Sequence, residues 1–210
     1  SKLILGAKCP VFISGGGVIN SGAEKILQDI VELLNIPLCT TVSGQGSLAG
    51  THPLNAGVVG ANGGVMATRE VVNSADLVFF ITCRAGSTTT ENWRFPNKAI
   101  PIIHLDVDPE TIGANYPTAV ALVGDAKLTL EELFQELKSN IQSRSQNCVD
   151  GKAVVAKTKA TKFESFLKLA NSNDTPILPE RIVHSLNKLL PKDAIVCADP
   201  GTPCPYFSAY

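Results

Sequence analysis

The sequence predicts an α/β protein, a doubly wound parallel sheet flanked by helices, and three observations predict it. Short apolar runs alternate with stretches of helical periodicity. The run ADLVFFIT is apolar almost throughout, as in strands covered on both faces. The loops that leave the runs carry Gly, Arg and Asp, the residues expected where strands of such a sheet end.

Each element follows in order. Residues 9–14 (CPVFIS) read as a strand. Residues 21–34 place Ala23, Ile26, Leu27, Ile30, Leu33 and Leu34 at helical spacing, and residues 37–42 (PLCTTV) return to a strand, completing a βαβ unit. A Gly-rich loop over 43–64 leads to a helix near 65–73, and ADLVFFIT follows at 75–82. After the loop 83–97, residues 100–108 (IPIIHLDVD) predict a fourth strand, 109–114 a short helix, 119–125 (AVALVGD) a fifth strand and 126–141 an amphipathic helix. Right-handed crossovers between such strands make the sheet parallel.

Residues 1–141 are therefore expected to form one central domain. The polar stretch 142–151 opens a linker, 142–178, with a helix over 152–170. Pro179 starts a further helix over 179–190, and residues 194–198 (AIVCA) read as a buried strand. The turn Asp199-Pro200-Gly201-Thr202-Pro203 then opens a βα unit, so 179–210 reads as the beginning of a second, C-terminal domain.

The formal charge of −1 leaves no basic surplus for a phosphate backbone, which argues against nucleic acid as a partner. No apolar run reaches the roughly 18 residues that span a bilayer, and SKLILGAKCP has neither a full apolar core nor a cleavage site, so no membrane partner is expected. Six cysteines lie scattered without a CxxC pair, which reads as free thiols in a reducing, cytoplasmic compartment.

Four strand ends carry the candidate chemistry. Gly15, Gly16 and Gly17 stand between a strand and a helix, where backbone amides can meet a diphosphate or where a tight turn simply needs glycine. The third glycine of a dinucleotide fingerprint would fall at Asn20, and Cys39, Thr40 and Thr41 stand where its acidic residue belongs. Arg84 suits a phosphate or carboxylate clamp, or an ordinary ion pair. His104, Asp106 and Asp108 alternate along one strand and so share a face; the two acids can accept from a ribose or a backbone turn. Gly124 and Asp125 close the next strand. No nucleophile with its base, P-loop or zinc motif is present, and no residue is assigned a catalytic role.

The series CPVFISGGGVINSGA, IPLCTTVSGQGSLAGTHPLNAGVVGANG, SADLVFFITCRAGSTTTENW, IIHLDVDPETIGANY and VALVGDAK resembles the Rossmann-like central domain of thiamine-diphosphate enzymes of the acetolactate synthase and pyruvate oxidase group. LPERIVHSLNKLLPKDAIVCADPGTP resembles the start of that family's C-terminal domain, which binds the diphosphate through Mg2+. The resemblance implies a portion of a longer polypeptide acting on a 2-oxo acid such as pyruvate, as a homodimer or homotetramer, with thiamine diphosphate and Mg2+ held by the full-length protein. In flavin-bearing members the central domain holds FAD. The matching positions here are Gly15, Gly16, Gly17, Thr41, Arg84, Asp106, Asp108, Gly124 and Asp125, while Gly201 and Thr202 match the first diphosphate contacts. Ala85-Gly86-Ser87-Thr88 and Ala61-Asn62-Gly63 depart from the flavin pattern, which sets an adenine nucleotide or a purely structural spacer against FAD. Rival readings are a free-standing nucleotide-binding regulatory module without catalysis, and an NAD-consuming deacylase, for which no suitable histidine or zinc cysteines stand.

Overall fold

A computed structural model describes residues 1–199 and 201–210. Its centre is a six-stranded, wholly parallel sheet: β1 Pro10–Ser14, β2 Leu38–Thr40, β3 Asn55–Val58, β4 Leu77–Ile81, β5 Ile102–Asp106 and β6 Val120–Val123, in the spatial order β3-β2-β1-β4-β5-β6. The helices are α1 Lys2–Gly6, α2 Gly17–Asn20, α3 Glu24–Leu34, α4 Met66–Asn73, α5 Ala126–Ser139, α6 Gly151–Ala170, α7 Pro179–Leu189 and α8 Pro203–Ala209.

Alternation along the strands builds two cores. Phe12, Phe79, Ile81, Ile103 and Leu105 face Leu27, Ile30 and Leu34 of α3 and Leu130 and Leu137 of α5. Val11, Ile13, Val78, Phe80 and Ile102 face Val71 and Val72 of α4 and Val155 of α6. Phe12 and Phe79, register partners on β1 and β4, meet edge to face with ring centroids 5.1 Å apart. A smaller cluster joins Phe166 and Ala170 of α6 to Val183 of α7, with Tyr206, Phe207 and Tyr210 packed on it.

Four expectations change. The helix predicted over 21–34 starts later, at Glu24, because Gly22 turns with φ +65°, and a separate short helix, α2, forms before it on the glycine run. The Gly-rich loop contains β3, because Asn55 Nδ2 donates to the Leu48 and Ala49 carbonyls and holds an otherwise weak strand former against β2. No helix forms over 109–114: Asp108 caps a turn by accepting from the Glu110 N–H at 2.9 Å, and Gly113 stands at φ +80°. The strand expected at 194–198 is also absent. Ile195 is 91% exposed there, and among the described residues no sheet edge pairs with it.

Candidate functional site

The reversal of strand order lies between β1 and β4, so the loops after Ser14 and Ile81 form the two walls of the crevice where ligands of such sheets bind. Gly15 donates its N–H to the Ile81 carbonyl at 2.8 Å. A Cβ on Gly15 would stand 2.0 Å from the Thr82 carbonyl oxygen, one on Gly17 2.6 Å from the Thr82 Cβ, and one on Gly16 3.1 Å from the Ser43 carbonyl oxygen. The space these glycines leave is filled by protein, so the run lets two loops cross closely. The space freed by the missing side chains therefore forms no cradle for a flavin's diphosphate.

The neighbouring candidates are engaged in turns. Thr41 Oγ1 accepts from the Gly44 N–H at 3.0 Å and caps the 3-10 turn Val42–Gly44. Asp106 Oδ1 accepts from the Asp108 N–H at 3.1 Å, and Asp108 Oδ2 accepts from the Thr111 hydroxyl at 3.3 Å. The Gly124 N–H reaches the Asp106 carbonyl at 3.0 Å, and Asp125 caps α5 through Leu128 N–H at 3.1 Å. Each of these carboxylates still faces solvent at its outer edge or is exposed outright.

Arg84 differs from them. It is exposed, and among the described residues its guanidinium has neither an ion-pair nor a hydrogen-bond partner. Its backbone is held on both sides. His104 Nε2 lies 2.8 Å from the Cys83 carbonyl and donates to it, and Asn115 Nδ2 donates to the Arg84 carbonyl at 2.9 Å. Burial keeps the His104 imidazole below its ordinary pKa, hence neutral, and pushes the Cys83 thiol up to about 11.

The loop beyond Arg84 is the most constrained part of the crevice. Glu91, Asn92 and Trp93 are three consecutive residues in the left-handed region, at φ 49°, 58° and 60°, each costing about 1–2 kcal/mol for a side chain with a Cβ. Contacts from outside hold them there. Arg69 on α4 makes two hydrogen bonds to Glu91 Oε1 at 3.0 and 2.8 Å, and its guanidinium lies 5.3 Å over the Phe95 ring. Tyr116 donates its hydroxyl to the Phe95 carbonyl at 2.8 Å. The indole N–H of Trp93 donates to Asn115 Oδ1 at 3.1 Å.

The fold thus brings Gly15, Gly16, Gly17, Thr41 and Arg84 together at the exits of β1, β2 and β4, with Asp106, Asp108, Gly124 and Asp125 at the exits of β5 and β6 beside them. Gly201 and Thr202 stand apart, at the foot of α8, which packs toward the β3 edge: Lys162 Nζ donates to the Ala209 carbonyl at 2.7 Å and Gln45 Nε2 reaches Ser208 Oγ at 3.2 Å. Trp93 and Asn115, which complete the arrangement around Arg84, carry no motif in the sequence. Their link is tertiary, across 22 residues. Among the described residues no group of three or more His, Cys, Asp or Glu could hold a metal ion, and no helix is long and apolar enough to cross a membrane.

A wholly parallel sheet in this order, flanked by helices, defines the class of doubly wound, Rossmann-like domains. Within that class the family model "Thiamine pyrophosphate enzyme, central domain" matches residues 1–133, and the chain belongs to that family. It is 36% identical over 208 residues to a "Probable acetolactate synthase large subunit" of Methanococcus aeolicus, covering 95% of this chain and 34% of the relative. A protein of the same description in Methanocaldococcus jannaschii is 34% identical, over 96% of this chain and 34% of its own length. "Sulfoacetaldehyde acetyltransferase" of Roseovarius nubinhibens is 30% identical, over 100% of this chain and 37% of its own. The chain spans about a third of the length of the curated relatives it matches.

Proposed function

We propose that this chain is the middle portion of a thiamine-diphosphate-dependent carboligase or decarboxylase, acetolactate synthase-like, that acts on a 2-oxo acid such as pyruvate. The observation that carries this reading is the alignment of 95% of the chain with an acetolactate synthase large subunit, extending beyond the family match at 133 through α6 and α7. The division into a central domain over 1–141, a linker over 142–178 and the beginning of a cofactor-binding domain over 179–210 is part of the same proposal, as are a cytoplasmic location and assembly as a homodimer or homotetramer.

Thiamine diphosphate, when bound with Mg2+, supplies the electron sink for the carbanion that decarboxylation leaves. This chain's own contribution is positional. Gly201 and Thr202 are exposed at the start of α8, where the Gly201 N–H donates to Asp199 Oδ1 at 3.0 Å, so a diphosphate there would have to replace that carboxylate. The six-stranded unit acts as a rigid spacer, and its switch-point loops offer a second site for an adenine nucleotide. The exposed guanidinium of Arg84, unpaired among the described residues, supports that site, with Asp106 and Asp108 at the neighbouring strand ends as acceptors for ribose hydroxyls.

An antibody raised against this chain tests the reading. The expected result is a native polypeptide well above 22.2 kDa whose immunopurified form consumes pyruvate only when thiamine diphosphate and Mg2+ are supplied. A 22.2 kDa band without that activity would overturn it and leave a free-standing nucleotide-binding module in its place.

A further inference from the structure

We infer that Lys162 is a nucleophilic amine that takes an acyl group from a thioester, and that this modification loosens α8 from the β3 edge. Lys159 and Lys162 stand one turn apart on α6. Lys159 Nζ donates to the Gly50 and His52 carbonyls, both at 3.0 Å, and Lys162 Nζ donates to the Ala209 carbonyl at 2.7 Å. All three acceptors are neutral, and among the described residues neither ammonium has an ion-pair partner. Lysines drawn out of water are ordinarily matched by a carboxylate. Here two like charges share one stretch of helix without one.

The elements around Lys162 do not supply the missing charge. β3 and α8 contain no acid. On α6 itself Glu164 pairs with Lys168; on α4 Arg69 is committed to Glu91, and Glu70 is exposed. α7 brings Arg181, held by the Ser172 carbonyl, His184, Lys188 and Glu180, whose charge acts on Tyr210. Burial lowers the Lys162 pKa, and the Lys159 charge lowers it further. An amine that sheds its proton more readily is the better acyl acceptor. Lys162 is half-buried and not sealed, so a small donor can reach it. The neutral Nζ adds to the thioester carbonyl carbon, the C–S bond breaks with its electron pair leaving on sulfur, and the proton from nitrogen passes to the thiolate; nothing is oxidised or reduced. The product is an uncharged, bulkier amide in a tight place. A Cβ on Gly57 would stand only 3.5 Å from Nζ, and one on Gly63 only 2.5 Å from the Ser208 Cβ, so β3 and α8 leave little room between them for an acyl group.

Incubation of the chain with acetyl-CoA at mildly alkaline pH, followed by peptide mass spectrometry, tests the amine. Acetylation of Lys162 should run about 3- to 10-fold faster than that of the exposed Lys192. Lys159→Gln removes the neighbouring charge while keeping a donor for the loop carbonyls. It should slow acetylation of Lys162 about 2- to 5-fold with thermal unfolding unaltered, an effect that a purely structural role for Lys159 would not produce. Hydrogen exchange of the α8 amides should be faster in the acetylated chain than in the untreated one, and Lys162→Arg, which keeps charge and donor, should leave it slow. A Lys162 rate no greater than that at Lys192, or one that Lys159→Gln leaves unchanged, overturns the nucleophile. Unchanged α8 exchange after acetylation of Lys162 overturns the loosening.

Discussion

Two apolar runs of the same character meet opposite fates in this molecule. Residues 77–81 (LVFFI) are buried throughout, paired with β1 on one side and β5 on the other. Residues 194–198 (AIVCA) form no strand and leave Ile195 91% exposed. Hydrophobicity is alike in both; the difference is a neighbour. A parallel strand needs carbonyls and amides on adjacent strands, and β4 has them on both sides, whereas among the described residues 194–198 have none. An apolar run is thus a licence for a strand and not its cause.

The contrast can be broken most forcefully at Phe79. Phe79→Ala removes a fully buried ring packed on Phe12 and should cost about 3–5 kcal/mol in urea unfolding, enough to abolish a stable fold in a marginal domain. Next comes Gly15→Ala, whose Cβ would stand 2.0 Å from backbone at Thr82; forcing the loops apart should cost about 1–3 kcal/mol, read as a lowered denaturant midpoint. An unchanged midpoint would show that the crossing of the two loops can relax.

A smaller effect comes from His104. Burial holds its folded-state pKa below the ordinary 6.5, so as pH falls the unfolded chain takes up this proton first. Its contribution is therefore complete above about 6.5 and declines as pH drops below that value. Thermal melts between neutral and mildly acidic pH should show a flatter profile for His104→Gln, which can keep a donor to Cys83, than for the unaltered chain. Parallel profiles would mean that the imidazole does not titrate with unfolding. Smallest of all, Ile195→Ser should shift stability by no more than about 0.5 kcal/mol, as for any exposed side chain free of partners. A loss as large as that at Phe79 would show that 194–198 is buried in solution.

Much of the sheet is legible in the sequence because burial on both faces writes itself as unbroken apolar runs, as in Val78 to Ile81. β3 is not, since NAGV combines a polar residue with Gly57 at φ 109° and is held by the Asn55 side chain instead of by propensity. The short helix expected after Asp108 fails for the same kind of reason: a local carboxylate offers the backbone a better turn. The strand-end loops can be located from sequence, but their internal order cannot. Arg84 is visible as a cation after a strand, while the Asn115 amide that joins it to Trp93 exists only once β5 and the following turn are in place.

The strand order also sets a sequence of events in time. β1 is made before the other five strands of this sheet, yet it lies at the sheet's middle, and its register partner to Pro10 is Leu77. During synthesis, Val11 to Ser14 can pair with β2 early, but their other edge stays open until residues 77–81 have left the ribosome. Until then the nascent chain carries the unpaired edge of a largely apolar strand, the kind of surface that chaperones hold and that aggregation exploits. Closure of β1 on β4 is the long-range step against which the rate of folding should be set.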